Sequence, residues 1–224
     1  MPQERRLTAL HITIYLVVFF VIWIIRELVI QPVFLDSLNP IASELIGEGI
    51  KLLAWTVPAI LLIRYFSRDM LIGLKEMFTN KLQWSRDYFV VTTAAIIFIA
   101  LFVRMWIDHG ELRVNPYFEP TRLIGIVLFV GITEELVFRG FLLNAFLKRM
   151  KQRYALALDA VLFALIHYPI WIRRGFGIYD IATSSISVAV LSLLFAYSFI
   201  KTRNILVPML LHMLWNFTVY FFAG

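Results

Sequence analysis

Two glutamates and an arginine, Glu134, Glu135 and Arg139, interrupt an apolar run that extends from Leu123 to Leu147. An ionised group at the centre of a membrane-length helix costs about 2.5–3.5 kcal/mol even on the gentlest insertion scale, so such groups default to a functional reading. Further along, His167 closes the apolar stretch VLFALIH, preceded by Asp159, and His212 and Asn216 sit in LLHMLWN. A carboxylate and imidazoles are the groups that carry general acid–base chemistry, and an amide can hydrogen-bond beside them. Phe163 with His167, and His212 with Asn216, are spaced i,i+4 and each pair shares one helix face. Neighbours on a helix point about 100° apart, so Glu134 and Glu135 take different roles. Glu135 lies four residues before Arg139, the favourable order for an internal ion pair that braces the helix. Glu134 is left for the site, as a general base.

These residues need helices to carry them. The 224 residues are 61% hydrophobic and 16% charged, with a mean hydropathy of +0.81. Soluble domains run near 45–50% apolar and about 25% charged, so the composition describes a protein embedded in a membrane. Seven apolar spans are expected: Leu10–Ile30, Ile41–Ile63, Tyr88–Ile107, Thr121–Leu147, Tyr154–His167, Ile181–Ile200 and Ile205–Phe222. At about 1.5 Å per residue, Glu134 lies about 21 Å from Lys148, His167 about 20 Å from Tyr154 and Asn216 about 20 Å from Arg203. His212 is one turn nearer the basic end. Spans four, five and seven can therefore bring the polar residues to one depth.

The fold class that follows is all-α, a polytopic transmembrane bundle of about seven spans, read as one integral membrane domain over 1–224 with a catalytic core at about 121–224. Residues 69–82, with Leu71, Leu74, Met77 and Phe78 at helical spacing among basic residues, predict an amphipathic helix on the membrane surface. Lys and Arg concentrate at the N-terminus (Arg5, Arg6, beside Glu4), in 64–87, in 148–153 and in 201–203, which by the positive-inside rule puts those segments and the N-terminus in the cytoplasm. Arg173 and Arg174 are the exception. The net charge of +6 is thus a topology and lipid signal, and no nucleic-acid partner is expected. With no cysteine, thiolate metal sites, disulfides and a cysteine nucleophile are excluded. The first apolar segment has no small-residue cleavage site, so no signal peptide is expected. In the second span, Glu48 and Lys51 are spaced i,i+3 and read as a structural pair.

EELVFR at 134–139, FALIH at 163–167 and HMLWN at 212–216 match, in order, E-E-x-x-x-R, F-x-x-x-H and H-x-x-x-N. Together they resemble the CPBP intramembrane protease family, which includes type II CAAX prenyl endopeptidases and bacteriocin-processing or immunity proteins. The resemblance covers the chain from about Thr121 onward; the earlier helices resemble the family only in being spans.

The resemblance implies an intramembrane endopeptidase that hydrolyses a peptide bond in a membrane-associated or lipidated polypeptide. Glu134 would be the base, His167 would help hold the water, and His212 and Asn216 would stabilise the oxyanion. Glu135, Arg139 and Phe163 would support the site. Family members have been described both as metalloproteases and as glutamate-dependent. No cofactor is favoured here, because Asn216 is a poor zinc ligand and no HExxH occurs; zinc held by Glu134, His167 and His212 is the alternative. A non-catalytic scaffold or immunity protein on the same fold, and a proton-coupled transporter, are the readings from other classes. Ser184, Ser185 and Ser187 lack a G-x-S-x-G elbow.

Overall fold

The computed structural model describes residues 6–111 and 113–222; Glu4 and Arg5 of the basic N-terminus lie outside the described residues. Among the described residues all regular structure is helical. The helices are α1 (Ala9–Ser37), α2 (Pro40–Tyr65), α3 (Leu74–Thr79), α4 (Trp84–His109), α5 (120–147), α6 (Gln152–Leu165), α7 (Tyr168–Arg173), α8 (Ile178–Thr202) and α9 (Leu206–Phe222).

Local sequence sets their ends. Thr8 caps α1 by accepting from the His11 backbone N–H, while the His11 ring accepts from Thr8 N–H. Asn39 caps α2 by accepting from Ala42 N–H, with Pro40 at the first helical position, where a missing N–H costs nothing. Gly110, with φ 69°, takes the left-handed turn that ends α4. Helix α6 ends at Leu165, four residues before Pro169, whose missing N–H cannot donate to the Leu165 carbonyl.

Helix α5 is the axis of the bundle. It packs on α2, α6, α8 and α9, and every residue from Thr133 to Phe146 is buried. Phe138, Phe141 and Leu142 meet Phe19 of α1, Trp55 and Ile63 of α2, Met77 of α3, Phe163 of α6 and Phe199 of α8 in one apolar core. A helix apolar on all sides belongs in the middle of such a core. Its neighbours keep one face outward: Leu10, Ile14, Val17 and Val21 of α1 and Ile96, Ile99, Val103 and Trp106 of α4 are exposed, a surface suited to lipid tails.

Among the described residues, five helical stretches are long and apolar enough to cross a bilayer: Ala9–Ser37, Pro40–Tyr65, Tyr88–Ile107, Gln152–Arg173 and Ile178–Thr202. The expected seven also counted α5, which carries three charges near its centre, and α9, which has 17 residues. The protein is an integral membrane protein with an all-helical fold.

The expected surface helix is shorter than the sequence pattern indicated. Within 69–82 the α-helix covers only Leu74–Thr79, and the backbone just before it is hydrogen-bonded by Asn144 of α5. Its Oδ1 accepts from Ile72 N–H at 2.9 Å and its Nδ2 donates to Ile72 O at 2.8 Å. Met77 and Ile72 are drawn into the core, and Leu71 and Phe78 stay exposed.

The basic segments gather at one end. Arg149 donates to Leu7 O at 3.0 Å and to Asp69 O at 3.1 Å, and Asn80 and Asn204 tie the α3 end to the α8–α9 turn. Arg173, the exception to the charge pattern, is at the other end, where Glu27 accepts from its Nε at 3.2 Å.

Candidate active site

Glu134 and Glu135 end a regular turn of α5, Val130–Glu135, and a wider π-type turn, Leu136–Leu143, carries Arg139 directly after them. Wide turns of this kind recur at functional sites. As their spacing requires, the two carboxylates face different partners.

Glu135 lies within a buried polar network. Its Oε1 accepts from Arg139 Nη1 at 3.1 Å and from His212 Nδ1 at 2.8 Å. Arg139, fully buried, also donates through Nη2 to the backbone and hydroxyl oxygens of Ser192, each at 2.9 Å, and its Nε lies 3.7 Å from Asp159 Oδ2. The rings of Phe163 and Phe195 flank the guanidinium, 4.5 Å and 5.6 Å away. Asp159, which also meets the Ser192 hydroxyl, thus belongs to the network that fixes Arg139.

Glu134 points to Lys51, whose Nζ donates to Oε1 at 2.7 Å. The other oxygen, Oε2, is buried, has no hydrogen-bond donor among the described residues and lies 3.9 Å from His212 Nε2. Since a carboxylate can only accept, His212 carries its proton on Nδ1 toward Glu135, leaving Nε2 turned to Glu134. His167 is fixed in the same tautomer: its Nδ1 donates to Phe163 O at 2.9 Å. Phe163 is the wall the two imidazoles share, with ring centroids 5.4 Å from His167 and 5.9 Å from His212. Phe195 stacks on the other side of His212 at 5.0 Å.

Helix α9 comes this close because Gly131 has no side chain: a Cβ there would meet Met213 Cγ at 2.6 Å. One turn beyond His212, Asn216 donates through Nδ2 to Ile126 O at 3.0 Å, leaving its second N–H available. The structure therefore joins Glu134, Glu135, Arg139, Phe163 and His212 directly and His167 through Phe163. Asn216 lies at the margin, one turn further toward the α5 start.

Lys51 is the residue that sequence reasoning misplaced. Its expected partner was Glu48, but its hydrogen bond goes to Glu134, 83 positions away. The available signal was its position, a lysine buried within an apolar span, which by itself marks a functional candidate. Ser185, by contrast, bonds Tyr168 and the Ile181 carbonyl, with no base beside it in those contacts.

The sequence left zinc held by Glu134, His167 and His212 as an alternative cofactor. Of the three candidate ligands, Glu134 already holds an ammonium on one oxygen, and that cation would repel a second cation at the same carboxylate. Among the described residues no three His, Asp or Glu side chains are grouped as metal ligands.

A bundle of membrane helices enclosing a buried glutamate, two oriented histidines and a bracing Glu–Arg pair has the parts of an intramembrane hydrolase. Residues 116–218 match the family model described as Type II CAAX prenyl endopeptidase Rce1-like. All three motifs lie inside that range, and the match supports the CPBP intramembrane protease family and a protease activity; α1 to α4 lie outside it. Comparisons with curated proteins and with solved structures gave no significant match.

Proposed function

We propose that the chain is an intramembrane endopeptidase of the CAAX type, in which Glu134 activates water for attack on a peptide carbonyl. The observation that carries this reading is Glu134 Oε2, buried, without a hydrogen-bond partner among the described residues and 3.9 Å from His212 Nε2. A water bound by Oε2 gives it a proton as its oxygen bonds to the carbonyl carbon. Glu134 then returns that proton to the leaving nitrogen as the C–N bond breaks. His167 Nε2, the acceptor left by its tautomer, orients the water. His212, held through Nδ1 by Glu135, sets its Nε2 edge beside the position of the oxyanion, which the second N–H of Asn216 stabilises.

No metal takes part in this scheme. The substrate is a membrane-anchored polypeptide that reaches the site from the lipid, and the basic end of the bundle faces the cytoplasm. The test is a panel of otherwise identical CAAX-type peptides, farnesylated and unlipidated, incubated with the purified protein in proteoliposomes, with products mapped by mass spectrometry. Release of the three C-terminal residues from the farnesylated peptide is expected. Absence of cleavage from the whole panel would contradict the CAAX-type reading.

A further inference from the structure

The N-terminal helices lie outside the family match, yet they deliver one charged group to the centre of the site. Lys51 is 4% exposed, and its ammonium is the hydrogen-bond donor that reaches Glu134. It also lies over two indoles, 5.6 Å from the Trp23 ring and 5.1 Å from the Trp55 ring. Trp23 in turn donates from Nε1 to Ile166 O at 2.6 Å, the residue just before His167. One side chain of α2 is therefore packed between the carboxylate on α5 and the anchor of the α6–α7 junction that carries His167.

We propose that Lys51 is a positioning residue for the hydrolytic step: it ties Oε1 of Glu134 so that Oε2 alone faces His212 and the scissile carbonyl. This inference rests on Glu134 being the base. A carboxylate on a free side chain can rotate about its last bond and present either oxygen; a donor at 2.7 Å on Oε1 removes that freedom. Lys51 also balances charge. Without it, three buried carboxylates, Glu134, Glu135 and Asp159, would have Arg139 as the only cation in the network described above. The indoles give the ammonium a fixed seat, since a cation over an aromatic face is attracted by the ring quadrupole while the lysine stem packs against apolar surface.

The full-length protein in proteoliposomes is compared as wild type, Lys51→Met, Lys51→Arg and Glu134→Gln, with a farnesylated CAAX-type peptide as substrate. Lys51→Met is expected to lower kcat by about 10- to 100-fold, the scale of a misplaced reacting group, with KM within about twofold. Lys51→Arg, which keeps the charge and the donor, is expected to retain several times the kcat of Lys51→Met. A Lys51→Met enzyme with wild-type kcat, or an arginine variant no better than the methionine one, overturns the proposal. If Lys51→Met is unstable, the double variant Lys51→Met/Glu134→Gln, which removes both charges, is expected to recover the thermal midpoint; failure to recover it overturns the pairing. Glu134→Gln separates the two claims. If it is inactive while Lys51→Met is fully active, only the lysine role falls; if it still cleaves, the base assignment falls.

Discussion

His212 Nδ1 and Glu135 Oε1 meet at 2.8 Å although 77 positions separate them in the chain. The same oxygen holds Arg139, so the residue expected to brace α5 also fixes the ring that faces Glu134. An orienting carboxylate behind an imidazole sets its tautomer and steadies its charged form. Glu135→Gln keeps the side-chain shape but lacks that charge and can turn its NH2 toward Arg139 or His212. Cleavage should fall by about 10²-fold, the scale of losing one oxyanion donor, with KM little changed; steady-state kinetics on a lipidated peptide measures both.

Removing the cation of the same network should affect folding first. Arg139→Leu leaves Glu135 and Asp159 buried without their guanidinium. Breaking one side of a buried pair costs about 3–5 kcal/mol, so the thermal midpoint in detergent should drop by many degrees, along with activity.

Asn144 offers a contrast, because its contacts are structural. It makes two hydrogen bonds to Ile72 and a third to Gly140 O at 3.0 Å. Asn144→Ala leaves buried backbone groups unpaired, at about 1–3 kcal/mol each. Limited proteolysis should cut the 67–83 segment faster than in the wild type, while the catalytic groups remain in place.

Strong chelators should leave the rate unchanged. The ammonium of Lys51 already binds one oxygen of the carboxylate that a zinc ion would need. Assays with and without 1,10-phenanthroline, after exhaustive metal removal, check this; loss of activity restored by added zinc would contradict it.

Much of this architecture was legible in the sequence. The apolar runs located the long helices because hydropathy acts along the chain, and the spacing of Glu135 to Arg139 foretold their ion pair because one helix sets that geometry. The partner of Lys51 was not legible. Glu48 is a local candidate at i,i+3, whereas Glu134 becomes a neighbour only when α2 packs against α5. The length of α3 was hidden for a similar reason: its apolar spacing reads as a longer helix, and the group that pulls Ile72 out of it is 72 positions away on α5. Depth counting placed Asn216 level with Glu134, but it treats every helix as straight and parallel. In the fold His212 holds that level and Asn216 bonds to Ile126.

The central claim is that Glu134 is the base, and single-turnover cleavage of a farnesylated CAAX-type peptide by Glu134→Gln tests it most directly. Glutamine can still accept the Lys51 hydrogen bond, so the variant should purify as a monodisperse species with a thermal midpoint near that of the wild type. Its cleavage rate should fall by at least about 10²- to 10⁴-fold, the contribution of a general base. A folded Glu134→Gln protein that cleaves at a rate close to wild type would contradict the account.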